Sequence, residues 1–316
     1  MVLSTQKGHK GAAVAALGLM VVAALAGRAA AEPVYGVTLQ QFLVNWDSAT
    51  PGDVRSGVAI QGLQANERAL GLDFRPATGQ LYALGSFSRL YTLNASTGRA
   101  TPVGTGFSPA LNGSDFGFDF NPVVDRIRVV SDADQNMRLH PDTGVVVGGA
   151  EDGMLAYGAG DPNFGTDANV VHAAYTNNVA GALSTTLFGI DTGLDVLVTQ
   201  NPPNAGALNT VGGLGVDAVS FGGFDISGAT GIAYAVVRDL DHTASTFWTI
   251  NLTTGQGTMV GEIDGGAIVT AMTVVPEPAT LALLAAGVLG IASRRRHKSE
   301  EWPWGDRLAT NGRQPG

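Results

Sequence analysis

The stretch GLDFRPATGQLYALGSFSRLYTLNASTGRATPVG, from Gly71 to Gly104, decides the fold because it contains one complete structural repeat. It contains, in order, an apolar run that includes an acidic residue, two further apolar or aromatic runs, a Thr-Gly turn and a final Val-Gly segment. Glycine after threonine suits the left-handed backbone conformation of tight hairpins. Runs such as LYAL (Leu81–Leu84) are bounded by turn formers, and helical periodicity is nowhere convincing. The unit therefore predicts a small antiparallel β-sheet.

The same unit recurs along the chain. The further copies occupy residues 117–149, 173–200 and 223–261. The second is the closest, because GFDFNP from residue 117 matches GLDFRP from residue 71 at four of six positions. The Thr-Gly markers begin at Thr97, Thr143, Thr192 and Thr254, with spacings of 46, 49 and 62 residues. Periods of about 40 to 50 residues with four short strands each are typical of propeller blades.

The two ends of this region are complementary parts of one further blade. Residues 37–46 and 58–63 supply outer strands without an inner one, whereas AIVTAMTVV (267–275) supplies an extended run without outer partners. Pairing them closes the ring and removes an exposed sheet edge. The sequence therefore predicts an all-β, β-propeller-like fold with five blades. Six blades, with extra strands in residues 151–171, and a β-sandwich are the alternatives.

Acidic residues occupy equivalent positions at the starts of three repeats. These are Asp73, Asp119 and Asp225, with Asn177 at a similar place in a fourth. The innermost strands of a propeller surround its axis, so a ring of carboxylates there would hold Ca²⁺ through oxygen ligands. The alternative is that each aspartate binds its own turn or the backbone of the neighbouring blade. Calcium is the candidate cofactor.

Signatures of other chemistry do not appear. The chain has no cysteine, which excludes disulfides and thiolate metal sites. His140, His172 and His242 are widely spaced, and neither HExxH nor G-x-S-x-G occurs. Each histidine is therefore expected to be a surface or hydrogen-bonded turn residue, and no catalytic residue is assigned.

The charge of the region between the two terminal signals is strongly negative. Residues 32–278 contain nine arginines, no lysine and 24 acidic residues, a formal charge near −15. Such a surface repels nucleic acid and anionic lipid and favours cations or neutral partners.

The N-terminus has the layout of a secretory signal peptide. Lys7 and Lys10 precede an uncharged run over residues 11–27, and the small residues Ala29 and Ala31 then offer a cleavage site. Residues 1–31 are therefore predicted to be removed on export.

The C-terminal stretch VPEPATLALLAAGVLGIASRRRHK (275–298) combines the triplet Pro276, Glu277 and Pro278 with the apolar segment 279–292 and a basic cluster, Arg294, Arg295 and Arg296. As a helix the apolar segment would measure about 21 Å, shorter than the roughly 30 Å hydrocarbon core, so it makes a marginal transmembrane segment. The arrangement resembles the PEP-CTERM sorting signal of exported proteins from Gram-negative bacteria that make extracellular polysaccharide. That resemblance implies transient insertion into the inner membrane and processing by an exosortase-type enzyme. An anchor that is never cut is the alternative, and residues 299–316 form an atypical extension.

The repeats also resemble a family. The phrases DFNPVVDRIRVVSD, QNMRLHPDTG, LAYGAGD and AAYTNN are similar to those of an exported bacterial family known only as a domain of unknown function and often joined to PEP-CTERM tails. The resemblance implies a propeller-like fold without an established activity.

Together these features predict four segments: a signal peptide (1–31), a propeller-like domain (32–275), a sorting signal (276–298) and the extension (299–316). The favoured function is that of a non-enzymatic protein at the cell surface or in the extracellular matrix, serving adhesion or the binding of polysaccharide and cations. The alternative is a metal-assisted propeller hydrolase or lyase acting on exopolysaccharide or a lactone.

Overall fold

The structure, a computed structural model, describes residues 31–238 and 242–276. The chain divides into two units, Met1–Pro276 and Glu277–Gly316. Four predicted features lie outside the described residues: nearly all of the signal peptide, the apolar segment 279–292, the arginine cluster 294–296 and the extension 299–316. Within the described residues, no helix has the length and apolar character needed to cross a membrane.

The described residues form five β-sheets arranged as the blades of a ring, which confirms the predicted five-bladed propeller. Blade 1 contains β1 (Pro33–Thr38), β2 (Phe42–Asp47), β3 (Ser56–Ala59) and, from the far end of the domain, β20 (Val269–Val274). Blade 2 contains β4 (Ala69–Phe74), β5 (Leu81–Gly85), β6 (Arg89–Leu93) and β7 (Ala100–Val103). Blade 3 contains β8 (Phe116–Asn121), β9 (Arg126–Ser131) and β10 (Asn136–Leu139). Blade 4 contains β11 (Ala156–Tyr157), β12 (Val170–Tyr175), β13 (Leu187–Asp191), β14 (Val196–Gln200) and β15 (Ala207–Gly213). Blade 5 contains β16 (Val219–Ile226), β17 (Ala233–Arg238), β18 (Thr246–Ile250) and β19 (Gly257–Glu262).

The ring closes as the sequence predicted. Strand β20 pairs antiparallel with β1, with Val274 opposite Val34. Just beyond the strand, the backbone N–H of Val275 donates to the carbonyl of Pro33 at 2.9 Å. Because the first and last strands of the domain share blade 1, the hydrogen bonds of that sheet hold the two ends together.

The five innermost strands, β20, β4, β8, β12 and β16, contact one another in turn around the axis. Their close approach requires small residues. A Cβ atom at Gly71 would lie 2.5 Å from the Cβ of Phe118 on the next blade, and one at Gly117 would lie 2.8 Å from the backbone nitrogen of Ala173. The glycine that precedes each axial aspartate by two positions is therefore a packing requirement.

The hydrophobic core is divided among the interfaces between neighbouring blades. Five clusters of buried side chains fill these interfaces. Trp46 of blade 1 meets Phe247 of blade 5 edge to face at 5.7 Å between ring centroids, and Tyr82 of blade 2 meets Phe120 of blade 3 at 5.1 Å. Each such large side chain contributes roughly 1.5–3 kcal/mol through burial. Apolar packing between blades takes the place of disulfides.

Blade 4 departs from the repeat. Thr192–Gly193 connects β13 to β14, the second and third strands counted outward from the axis. The other three Thr-Gly pairs follow the third strand of their blades. The equivalent turn of blade 4 contains a short 3-10 helix, Pro203–Ala205. Measured to Asn204 in that turn, the intervals from Thr143 and to Thr254 are 61 and 50 residues, so the extra length of the repeat lies between β10 and β12. Residues 151–171 do contain an extra strand, β11, but it pairs parallel with β15 at the edge of blade 4 and makes no sixth blade.

Candidate metal centre on the propeller axis

Three aspartates from three different blades meet on the axis. Asp73 lies on β4, Asp119 on β8 and Asp225 on β16, and each side chain is 1% exposed. One carboxylate oxygen from each lies within 4.8 Å of the others. The structure thus brings together the aspartates that the repeat singled out.

Backbone hydrogen bonds hold these carboxylates across the blade boundaries. Asp73 accepts the N–H of Phe74 at 2.7 Å and that of Phe120, on the next blade, at 2.8 Å. Asp225 likewise accepts from Ile226 at 2.6 Å and, across the boundary, from Val274 at 2.7 Å. Each carboxylate therefore links its own blade to the next one, which is the structural role that the sequence left open.

The equivalent positions of the other two blades hold Ala174 and Thr273. Each precedes the residue whose backbone N–H donates to the neighbouring aspartate, as Asp119 precedes Phe120. The backbone N–H of Tyr175 donates to Asp119 Oδ1 at 3.2 Å. Asn177, expected at this place, instead lies two positions beyond the end of β12, where its amide donates to the carbonyl of Ser184. The repeat was detectable at Thr273, which Ala271 precedes by two places as glycine precedes the aspartates, but not at Ala174, where His172 stands in that place.

Thr273 joins two of the carboxylates. Its Oγ1 lies 2.9 Å from Asp73 Oδ1 and 3.0 Å from Asp225 Oδ2. A hydroxyl has a single hydrogen, so it can donate to only one of these oxygens at a time. The second contact is a hydrogen bond only when that aspartate carries a proton.

The surroundings disfavour three negative charges. Burial, followed by the charge of Asp225, raises the pKa of Asp73 well above its usual range. Burial and the charges of Asp73 and Asp225 do the same to the pKa of Asp119. Burial also raises the pKa of Asp225, to about 6, against the hydrogen bonds that it accepts. The cluster therefore requires a compensating positive charge, carried by protons or by a cation.

One ligand atom in this cluster is unsatisfied. Asp119 Oδ2 is buried and has no hydrogen-bond partner among the described residues. An orphaned buried acceptor costs roughly 1–3 kcal/mol, so such atoms are rare in native proteins. Calcium binds oxygen at about 2.3–2.6 Å, which places ligands on opposite sides of the ion about 5 Å apart. Separations of up to 4.8 Å thus allow one ion to contact all three carboxylates.

His172 on β12 lines a small cavity together with Leu70, Phe116 and Thr270 of the neighbouring inner strands. It is buried, and this desolvation lowers its pKa to about 4, so the imidazole is neutral at pH 7. The expectation of a surface or turn position is therefore wrong for His172. It holds for His140, whose Nδ1 accepts the N–H of Asp142 in a turn.

A family model described as Domain of unknown function (DUF4394) matches residues 42–273, which include all three axial aspartates and Thr273. The chain belongs to this family. A second model, the PEP-CTERM protein-sorting motif, matches residues 274–296. Both resemblances drawn from the sequence are thereby confirmed. In this DUF4394 protein the sorting motif marks export and sorting through the envelope by an exosortase-type enzyme.

Two solved structures match the chain at low identity. Hydrazine synthase of Kuenenia stuttgartiensis matches with 10% identity and a TM-score of 0.39, over 68% of this chain and 54% of its own. A structural genomics protein of unknown function from Bacteroides thetaiotaomicron VPI-5482 matches with 14% identity and a TM-score of 0.45, over 75% of this chain and 60% of its own. The chain thus spans little more than half the length of these two relatives. No curated protein matches the sequence.

Proposed function

We propose that the propeller binds one calcium ion on its axis through Asp73, Asp119 and Asp225 and acts outside the cell as a non-enzymatic binding protein. The observation that carries the proposal is the meeting of three buried carboxylates, one of which has an oxygen without a partner in the part of the chain that the structure describes. A divalent cation would neutralise most of their charge and supply the missing contact of Asp119 Oδ2.

The burial of the site favours a structural ion over a catalytic one. All three aspartates are almost completely buried by the inner strands, so a polymer chain could not reach the ion without opening the ring. A bound ion would instead link blades 2, 3 and 5 at their narrowest point. This would stiffen a domain that has no disulfide for use in the extracellular medium.

Calcium titration of the purified full-length chain, stripped with a chelator, tests the proposal. We expect one ion per chain by calorimetry and a rise in melting temperature on binding. Asp119→Asn should abolish both effects, whereas Asp53→Asn, which changes an exposed acid of blade 1, should leave them unchanged. No calcium uptake by the unmodified protein would sink the proposal and leave a cluster that shares protons.

The ends of the domain support the proposed route of export. Ala31 is exposed, while the next residue, Glu32, is buried and begins the folded domain. Strand β20 ends two residues before Pro276, beside Pro33. Cleavage after Ala31 and processing at the Pro-Glu-Pro triplet would therefore both act outside the blades and leave the ring intact. We infer that the mature domain is delivered to the cell surface or extracellular matrix, where it binds polysaccharide or supports adhesion.

Replacement of Pro276, Glu277 and Pro278 by alanine tests this route. We expect an unprocessed form that remains in the membrane fraction, visible as a larger mass than that of the normal product. Replacing Glu300 and Glu301 in the extension by alanine is the matched control and should leave processing unchanged. A triplet variant with normal mass and fractionation would refute sorting through the motif.

A further inference from the structure

Three arginines lie side by side on one face of blade 3. Arg126 and Arg128 are two positions apart on β9, so their side chains project from the same face of the sheet. Arg138 lies directly opposite Arg128 on β10. All three line a cavity of about 460 Å³ between blades 3 and 4, a size typical of small-molecule sites. A third of the nine arginines in residues 32–278 thus face one cavity.

The charge of these arginines is only partly compensated. Asp152 binds Arg128 at 2.7 Å and receives two hydrogen bonds of 2.8 Å from Arg138. Burial favours the neutral form of Asp152, but the hydrogen bonds from Arg138 and Arg128 outweigh it and lower its pKa. One carboxylate therefore forms ion pairs with two guanidinium groups and neutralises only half of their charge.

Arg126 makes no ion pair within 4 Å among the described residues, and its charge acts only weakly, at longer range, on Asp142. Its Nη1 donates to the backbone carbonyls of Asp125, at 2.7 Å, and Val124, at 3.4 Å. No acidic residue of the described chain lines the cavity. The cavity thus keeps a net positive charge in a domain whose formal charge is near −15.

Arg128 is the most deeply buried of the three arginines. The Arg128 side chain is 1% exposed, and its terminal nitrogens bind Asn136, Asp152 and Asn204. Its Nε has no partner among the described residues. Because this Nε is inaccessible to solvent, a ligand in the cavity would meet the more exposed guanidinium groups of Arg126 and Arg138, while Arg128 adds its charge from behind them.

The remaining walls combine apolar surface with amides. Pro202 and Pro203 offer apolar ring surfaces beside the buried Tyr175, and Asn121 and Asn204 offer side-chain amides. Guanidinium groups recognise carboxylates through paired hydrogen bonds, apolar rings pack against the C–H face of a sugar, and amides bind hydroxyls.

We propose that this arginine cavity binds a carboxylate-bearing sugar, that is, a uronic acid residue of a polysaccharide. The inference rests on the polysaccharide-binding role proposed above and supplies its site and ligand class. It is independent of the axial calcium ion. An acidic protein would by this means bind an acidic polymer through a local cluster of positive charge.

Calorimetric titration of the full-length chain with three probes tests the inference: a galacturonate trisaccharide, the matching neutral galactose trisaccharide and inorganic phosphate. We expect the galacturonate trisaccharide to bind and the other two to bind at least tenfold more weakly. Arg126→Gln should weaken galacturonate binding tenfold or more. Because Arg126 contacts only backbone carbonyls, this variant should fold, and its melting temperature verifies that. Arg55→Gln, at an exposed ion pair on blade 1, is the matched control.

Each other outcome is decisive. Equal binding of phosphate would show a general anion site and overturn the sugar assignment. Neutral-sugar binding that Arg126→Gln does not change would leave the polysaccharide role standing and refute this cavity as its site. Failure of both sugars to bind would overturn the inference and the polysaccharide role together, without bearing on calcium.

Discussion

The hydroxyl oxygen of Thr273 lies 2.9 Å from Oδ1 of Asp73, although the two residues are 200 positions apart. Thr273 belongs to β20, the strand that closes the ring, and Asp73 to the inner strand of the neighbouring blade. Ring closure and the axial cluster are therefore a single structural feature. The last strand both completes blade 1 and supplies the only hydroxyl among the five equivalent positions of the described inner strands.

Thr273→Val should destabilise the folded domain. The substitution keeps the shape of the side chain but removes the hydroxyl that bridges Asp73 and Asp225, which leaves two buried oxygens with one contact fewer. The free energy of unfolding, measured by denaturant titration in the presence of a chelator, should fall by about 1–3 kcal/mol. Thr249→Val, which removes a long contact on an exposed face of β18, should cost less than about 0.5 kcal/mol. Equal effects of the two substitutions would contradict the bridging role.

The axial cluster should make stability fall as pH rises. Folding raises the pKa values of all three aspartates, so between about pH 4 and the folded-state values the folded protein binds more protons than the unfolded one. Each such carboxyl then lowers the free energy of unfolding by up to about 1.4 kcal/mol per pH unit. Without calcium, Asp119→Asn should therefore gain stability relative to the unmodified protein as pH rises from 4 to 7. Denaturation at a series of pH values gives this difference directly, and a difference that stays constant with pH would show that Asp119 is ionised throughout.

His172 should give the free energy of unfolding the opposite pH dependence. Burial lowers its pKa to about 4, below the value of about 6.5 expected in the unfolded chain. Its contribution to stability is therefore complete above pH 6.5 and is lost as pH falls toward 4. His172→Gln should remove this loss and flatten the acid side of the stability profile. His140→Gln, in a surface turn, serves as the control, and an identical profile for both variants would argue against a buried neutral imidazole.

Glu32 should stabilise the contact between blades 1 and 5. Its carboxylate accepts hydrogen bonds from Tyr234 at 2.8 Å, from Thr230 at 3.0 Å and from Ser227. Glu32→Ala leaves buried hydroxyls without their acceptor, so we expect a loss of about 2–4 kcal/mol in the free energy of unfolding. Glu262→Ala changes a largely exposed side chain and should cost less than about 0.5 kcal/mol. Thermal or denaturant unfolding of both variants decides this, and a small effect at Glu32 would mean that the contacts are not needed for closure.

The order of residues along the chain was sufficient for the architecture. A repeated unit with turn formers at fixed places can bury its apolar faces only by stacking against copies of itself, and the incomplete units at the two ends can be completed only by pairing with each other. The Pro-Glu-Pro triplet and the arginine cluster likewise depend on order and spacing alone. For this reason the blade number, the closing strand and the sorting motif were all predicted correctly.

Tertiary structure decided which residues meet and what surrounds them. The repeat placed Asp73, Asp119 and Asp225 at equivalent positions. Only the closed ring shows Thr273 between two of them, a buried His172, and an Asp119 oxygen that no described residue contacts through a hydrogen bond. The arginine cavity was not predicted at all. It depends on the strand pairing that sets Arg138 opposite Arg128 and on the turn of blade 4 that forms the facing wall. The sequence determines which residues occupy equivalent positions in the repeated strands. Distances, burial and charge compensation arise only when strands from different blades pack together.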